Sequence, residues 1–515
     1  MSLKHNIFAN SIGQLYVMLI NIIMVPVYLR YMGVEAYGLV GFFSLMQMWF
    51  QLLDFGLSPT LGREVARFRG GVLSEMELRR LLRAMEILFY FAAIIGGALI
   101  VSMSGSIARH WLKVQYLSYE QVSGAITLMG LAVAPRLVSG IYRGAICGFE
   151  RQVWLNGCNI FIATIRFIVI IPVFIYIGTS PKVFFLYQLV ISGLELMFLA
   201  AKTHRLMPAV HDRIGWSLAP LRGVLKFSLS VAVVALIYVM VTQIDKVVLS
   251  KIIPLTEFGF FSVGVLVASS VALVGSPFSQ ALLPRLVKMD AEGDTRSFIA
   301  LYRRATQWVC IVAAPLTAIL VLFSAPILWA WTGSQETAEK AAPILRLYAI
   351  GNGIFAVAAF QSYIQFAKGN LRLQIIGNII FVAVLVPLLV WAAHTYGGVG
   401  AGYVWVGQSA FYLLVWTWVV HRRFMPGLHW RWLSVDVLPI WLAVAGVAVI
   451  ASSLSMEGVE LNRSRWQVLL ILGGLGAGFL VTGVLVRRET RAIVGSMVKS
   501  IFVKREGLEL EQEKT

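Results

Sequence analysis

Fourteen stretches of about twenty predominantly apolar residues recur along the 515-residue chain. They fall at roughly 7–29, 36–57, 85–105, 122–142, 153–176, 183–201, 226–249, 258–282, 306–330, 343–366, 373–394, 399–420, 434–454 and 466–486. The hydrocarbon core of a bilayer is about 30 Å thick, which about 20 helical residues cross. The chain is 59% hydrophobic and 13% charged, against roughly 25% charged in soluble domains. No soluble core could bury that much apolar sequence. A lipid environment forces backbone polar groups to pair within each segment, so the pattern predicts an all-α integral membrane protein with 14 transmembrane helices. The first run starts soon after Lys4 with no small-residue cleavage site, and reads as a span and not a signal peptide.

The formal net charge of +18 does not point to nucleic acid, because Lys and Arg sit in short gaps between apolar runs. Eight fall on one side: Arg30, Arg109, Lys113, Lys182, Lys251, Lys340, Arg463 and Arg465. Four lie inside spans: Arg136, Arg166, Lys246 and Arg346. The remaining 31 of 43 share the side of both termini, which the positive-inside bias places in the cytoplasm. The tail, 487–515, has apolar residues at helical spacing among basic ones, as expected of an amphipathic helix on anionic membrane lipids.

The sequence also repeats. Arg30 and Lys251 lie 221 residues apart, as do Tyr37-Gly38 and Phe258-Gly259, and Gly148-Phe-Glu-Arg151 and Gly369-Asn-Leu-Arg372. Two six-span lobes in the same orientation follow, 1–222 and 223–432, related by an axis along the membrane normal. Spans 13 and 14 (433–486) and the cytoplasmic tail complete the chain.

Catalytic signatures are missing from this pattern. There is no Gly-x-x-x-x-Gly-Lys-Ser/Thr phosphate loop, no His-x-x-x-His pair or acidic cluster to bind metal, and no long loop to house a catalytic domain. Cys147, Cys158 and Cys310 have no metal-ligand spacing. No cofactor is indicated. Gly474 and Gly478 read as a close helix-packing motif in the last span. What remains is charge inside the membrane, which costs at least about 2.5–3.5 kcal/mol per residue and therefore usually faces a cavity or a partner. Arg166 lies fifteen residues beyond Arg151, about 22 Å along a helix, too deep to snorkel easily. Arg136 is either a site residue or an interface anchor. Lys246, Arg346 and Arg30 lie near the outer ends of their spans. Glu195 is the natural partner of Arg166, and Asp245 of Lys246. Asp54 can cap or anchor. A surplus of cations suits an anionic ligand such as a phosphate. Span amides such as Gln14, Gln47, Gln243, Gln361 and Gln365 suit sugar contacts or helix–helix bonds.

The opening Asn10-Ser-Ile-Gly-Gln14, the Tyr28-Leu-Arg-Tyr-Met-Gly-Val-Glu-Ala-Tyr-Gly38 break, Asp54-Phe-Gly-Leu57, the run from Thr242-Gln-Ile-Asp-Lys246 to Phe258-Gly259, Leu283-Pro284 and Tyr396-Gly-Gly-Val-Gly-Ala-Gly402 together resemble Wzx-type polysaccharide (O-antigen, lipid-linked oligosaccharide) flippases of the multidrug/oligosaccharidyl-lipid/polysaccharide (MOP) exporter superfamily. Ile177-Gly-Thr-Ser-Pro181 departs from the Gly-rich entry expected in the first half. The resemblance implies two six-helix lobes around a central cavity, alternating access, and a bacterial inner-membrane location. It implies cargo that is an undecaprenyl-pyrophosphate-linked oligosaccharide, carried outward for surface polysaccharide such as lipopolysaccharide, with other polysaccharide-assembly proteins as partners. It maps pyrophosphate binding onto Arg166, Arg136, Lys246, Arg346 and Arg30, and ion coupling onto Asp245, Glu195 and Asp54. Two alternatives stay open. A cation-coupled drug exporter of the same superfamily would need deep acidic residues, and a membrane-bound sugar ligase would need a sizeable outer loop.

Overall fold

The computed structural model describes residues 3–209, 215, 217–455 and 464–486, and these are helical nearly throughout, with no strand among them. The tail proposed as an amphipathic helix, 487–515, and Arg463 lie outside the described residues. Among the described residues, twelve helices are long and apolar enough to cross a membrane. The expectation of fourteen differs at two places. The run after Arg222 is bent by 42° between Val231–Ile237 and Val239–Ile252, so it is not one straight span. The 53-residue stretch Arg372–Phe424 is continuous in hydrogen bonding but leaves helical geometry at Gly397 (φ 60°, ψ −139°), where the sequence reading divided it. Only glycine adopts that backbone cheaply.

The chain forms two compact units. One comprises 1–262 with 389–398, and the other 263–388 with 399–515. The first unit contains α1 (Leu3–Met32), α2 (Val34–Gln51), α3 (Leu57–Arg69), α4 (Glu75–Ser106), α5 (Tyr119–Gly148), α6 (Gln152–Ile168), α7 (Ile170–Tyr176), α8 (Pro181–Leu206) and α9 (Arg222–Ile252). It also holds the first turns of α10 (Leu255–Leu273). Helix starts follow capping chemistry. Ser74 and Ser118 accept the amides of Glu77 and Gln121, whose side chains return the bond to the serine amides. Such boxes satisfy donors that a helix N-terminus leaves open. The break after α6 lies four residues before Pro172, which offers no N–H to the Ile168 carbonyl.

Within this unit the two copies of the Tyr/Phe-Gly motif meet. α2 and α10 start 221 residues apart, and their equivalent residues pack on one another. A Cβ on Gly38 would press on the Leu255 carbonyl, one on Gly259 on the Val34 carbonyl, and one on Gly41 on Ser262. Glycine is what lets these helices approach so closely. A strap crosses the same end. After a π-turn at Ile107–Trp111, the Lys113 carbonyl accepts the Leu255 amide (2.8 Å) and the Lys113 ammonium donates to the Ile252 carbonyl (2.6 Å). Glu35, 6% exposed, then accepts three successive amides, from Gln115 (2.5 Å), Tyr116 (2.9 Å) and Leu117 (2.8 Å).

The second unit holds the rest of α10 and α11 (Gly275–Ala291), α12 (Thr295–Leu322), α13 (Ser324–Thr332), α14 (Gln335–Ala358), α15 (Phe360–Ala367), α16 (Arg372–Phe411) apart from 389–398, α17 (Thr417–Phe424), α18 (Leu428–Arg431), α19 (Leu438–Ser455) and α20 (Arg465–Leu485). Its buried polar anchor is Asp436, which receives Arg303 through Nε (2.5 Å) and a terminal nitrogen (3.1 Å), and Gln307 at 2.6 Å. Beside it Tyr302 bonds His421 (2.9 Å). This ties α12 to the start of the last two spans. Gly474 and Gly478 have no neighbour within 4 Å where a Cβ would stand, so they are not the packing motif expected. Gly476 and Gly483 touch α12 instead, at Ile319 and Ile311.

Candidate functional site

The first unit contains a cavity of about 540 Å³, within the range of ligand sites. Its lining includes the turn between α2 and α3, at Leu52, Phe55, Gly56 and Ser58, and α9 contributes Val231, Ala235 and Val239. Its charged lining is Arg136, Arg143, Arg166, Glu195 and Asp54.

Each of these residues is placed by a helix. Arg136 and Arg143 are seven apart on α5, two turns on one face. They lie about 18 and 8 Å from the helix end at Gly148 at 1.5 Å per residue. Arg166 is about 21 Å along α6 from Gln152 on the same rule. Glu195 sits mid-way along α8 and is 5% exposed. The α5–α8 contact has a parallel register: Arg136 donates to Gln188 (3.3 Å) and Arg143 to Glu195, each pair 52 residues apart.

Glu195 holds two cations. One carboxylate oxygen accepts Arg143 and the other accepts Arg166 at 2.5 Å. Arg143 also donates to Asn159 (2.6 Å). Arg136 instead rests on neutral groups: it donates to Gln47 and Gln188 and lies 5.2 Å from the centre of the Phe43 ring. Among the described residues, the buried Nε of Arg136 and that of Arg166 each lack an acceptor. Three arginines against two carboxylates leave the lining net cationic. One carboxylate, Asp54, is already engaged, because its oxygen caps α3 by accepting the Ser58 amide (2.8 Å) and hydroxyl (2.9 Å).

Both readings of Arg166 therefore hold together: it pairs with Glu195 and it lines a cavity. Arg136 lies in the same lining. Lys246, Arg346 and Arg30 are outside it. Lys246 donates to Gln243 (2.7 Å), and the Asp245 carboxylate accepts the Lys246 amide (2.8 Å). Arg346 donates to Ser324 (2.6 Å) in the second unit, and Arg30 is exposed. Arg143 was placed in the gap after a span ending at 142, whereas α5 continues to Gly148. Its seven-residue spacing from Arg136 was the available signal. Among the described residues, no group of three or more His, Cys, Asp or Glu could hold a metal ion.

The described residues form a multi-pass helical bundle with a charged cavity. Comparison with solved structures agrees. A structure described as the lipid II flippase MurJ, inward closed conformation, matches with a TM-score of 0.70 at 13% identity, covering 92% of this chain and 97% of that one. An inward-facing MATE family multidrug resistance transporter of the MOP superfamily matches with 0.67 at 16% identity, over 81% of this chain and 98% of that one. A variant of the Vibrio cholerae MATE transporter VcmN matches with 0.55 at 11% identity, over 83% and 98%. At these identities the likeness shows the fold alone. No curated protein matches in sequence. The sequence profile of one family, described as polysaccharide biosynthesis protein, matches residues 27–338, more than half of the chain. The chain belongs to that polysaccharide biosynthesis family, with the MOP transporter fold.

Proposed function

We propose that the protein is a flippase that moves an undecaprenyl-pyrophosphate-linked oligosaccharide across the bacterial inner membrane, with both termini cytoplasmic. The observation that carries this reading is the convergence of Arg136, Arg143 and Arg166 on one cavity, with two guanidinium N–H groups lacking acceptors. Guanidinium binds phosphate oxygens through paired, charge-assisted bonds. The pyrophosphate would occupy this site, the sugars would extend into the rest of the cavity, and the lipid tail would stay in the bilayer. The family's description and the flippase among similar structures support the same class of cargo. Lys246, Arg346 and Arg30 are proposed as later contacts along the path, and Asp245, Glu195 and Asp54 as coupling-ion sites. The spans 1–222 and 223–432 are proposed as the duplicated halves.

The test is export of surface polysaccharide in cells that depend on this protein. Arg166→Ala at normal protein level is expected to abolish it; intact export would refute the site. A cation-coupled drug exporter remains the second reading, because MATE transporters share the fold. The cationic lining opposes cationic drugs, so expression is expected to give no drug resistance. A glycosyl-transfer product from purified protein would overturn the non-enzymatic reading.

A further inference from the structure

We infer that Glu195 is an internal stand-in for the cargo's phosphate: it holds Arg143 and Arg166, and the phosphate enters by displacing it. The inference rests on the flippase reading above. Three observations carry it. First, Glu195 is buried and bridges the two arginines with both oxygens. Carboxylate and phosphate oxygens both accept charge-assisted bonds from guanidinium, so a phosphate can take over the two bonds that Glu195 accepts. Second, Arg136 lies two turns from Arg143 on the same face and is held by amides and a ring, not by a carboxylate. It is the cation an arriving anion meets uncompensated. Third, the Nε groups of Arg136 and Arg166 lack acceptors while Glu195 is in place. They are donors that the phosphate gains and Glu195 does not use.

The arrangement solves a problem set by the membrane. Three bare arginines would hold a pyrophosphate too tightly to release, and binding energy equal in both conformations moves nothing. A tethered carboxylate lowers the affinity without removing the cations, because the phosphate must displace Glu195 from the nitrogen it holds on each of Arg143 and Arg166. When the cargo leaves, Glu195 closes over the arginines again. Glu195 thus sets affinity and release without itself contacting the cargo.

The experiment uses the full chain purified in detergent. Binding of inorganic pyrophosphate and of a short-chain isoprenyl pyrophosphate is measured by calorimetry, alongside polysaccharide export in cells. Glu195→Gln removes the competing charge and is expected to bind both probes at least tenfold more tightly while export falls. Glu195→Asp, whose shorter arm reaches one arginine and not both, is expected to bind about threefold more tightly. It also serves if the Gln variant does not fold. Arg136→Gln and Arg166→Gln are expected to weaken binding at least tenfold. If these arginine variants lose binding but Glu195→Gln and Glu195→Asp bind no more tightly than the parent, the displacement is refuted and the anion site stands. If the arginine variants bind as the parent does, the anion site falls and the displacement with it.

Discussion

Replacing Gly38 by alanine tests the close crossing of α2 and α10. In an open helical position this change stabilises by about 1 kcal/mol, because glycine pays more backbone entropy. Gly193 on α8 is such a position, with no neighbour within 4 Å of a built Cβ. At Gly38 the new methyl would stand within 3.0 Å of the Leu255 carbonyl, a backbone atom that cannot swing aside, whereas ordinary contact begins at 3.4 Å. Overpacking of this kind costs about 1–3 kcal/mol. Gly38→Ala is therefore expected to be about 1–3 kcal/mol less stable than Gly193→Ala in denaturant titration of the micelle-bound protein. The reciprocal contact sharpens the test. Gly259 meets the Val34 carbonyl across the same crossing, so a gap opened by the first methyl accommodates the second. The double variant Gly38→Ala/Gly259→Ala should cost clearly less than the two singles together, a coupling of about 1 kcal/mol. Equal stability of Gly38→Ala and Gly193→Ala, or strict additivity of the pair, would refute the close crossing.

Further outcomes follow from single contacts. Asp436→Asn takes away the buried charge that holds Arg303 through two bonds; loss of charge-assisted bonds costs about 1.5–3 kcal/mol, seen as a lower unfolding midpoint. Glu35→Gln has a single carbonyl oxygen for three amides and is expected to lower stability by about 1–3 kcal/mol, the cost of leaving buried donors unmet. Ser74→Ala removes a capping box and should cost about 1 kcal/mol; no change in midpoint would show that α4 does not depend on its cap.

The spans were legible because apolar periodicity is a property of each segment alone. The 221-residue interval read from sequence also separates the starts of α2 and α10, after Gly33 and Pro254. Arg166 stands out by depth, since a charge far from both span ends must face something polar, whereas Arg136 reads equally as a site residue or an interface anchor. Arg143 does not stand out, because nothing local distinguishes an arginine in the last turns of a long helix from one in the following gap. The parallel register that brings Glu195 to both Arg143 and Arg166 depends on how α5, α6 and α8 meet, and no spacing within one helix encodes that. Gly474 and Gly478 show the converse. Small residues four apart permit a close approach, but α12 meets the neighbouring face of α20, at Gly476 and Gly483.

The strap at Glu35 also provides a clock. The amides of Gln115, Tyr116 and Leu117 point into one carboxylate and can trade their hydrogens for deuterium only when it lets go. Their exchange rates, read together, therefore report how often this end of the first unit comes undone. Since the Lys113 carbonyl ties the same strap to Leu255, the Leu255 amide should keep time with the other three.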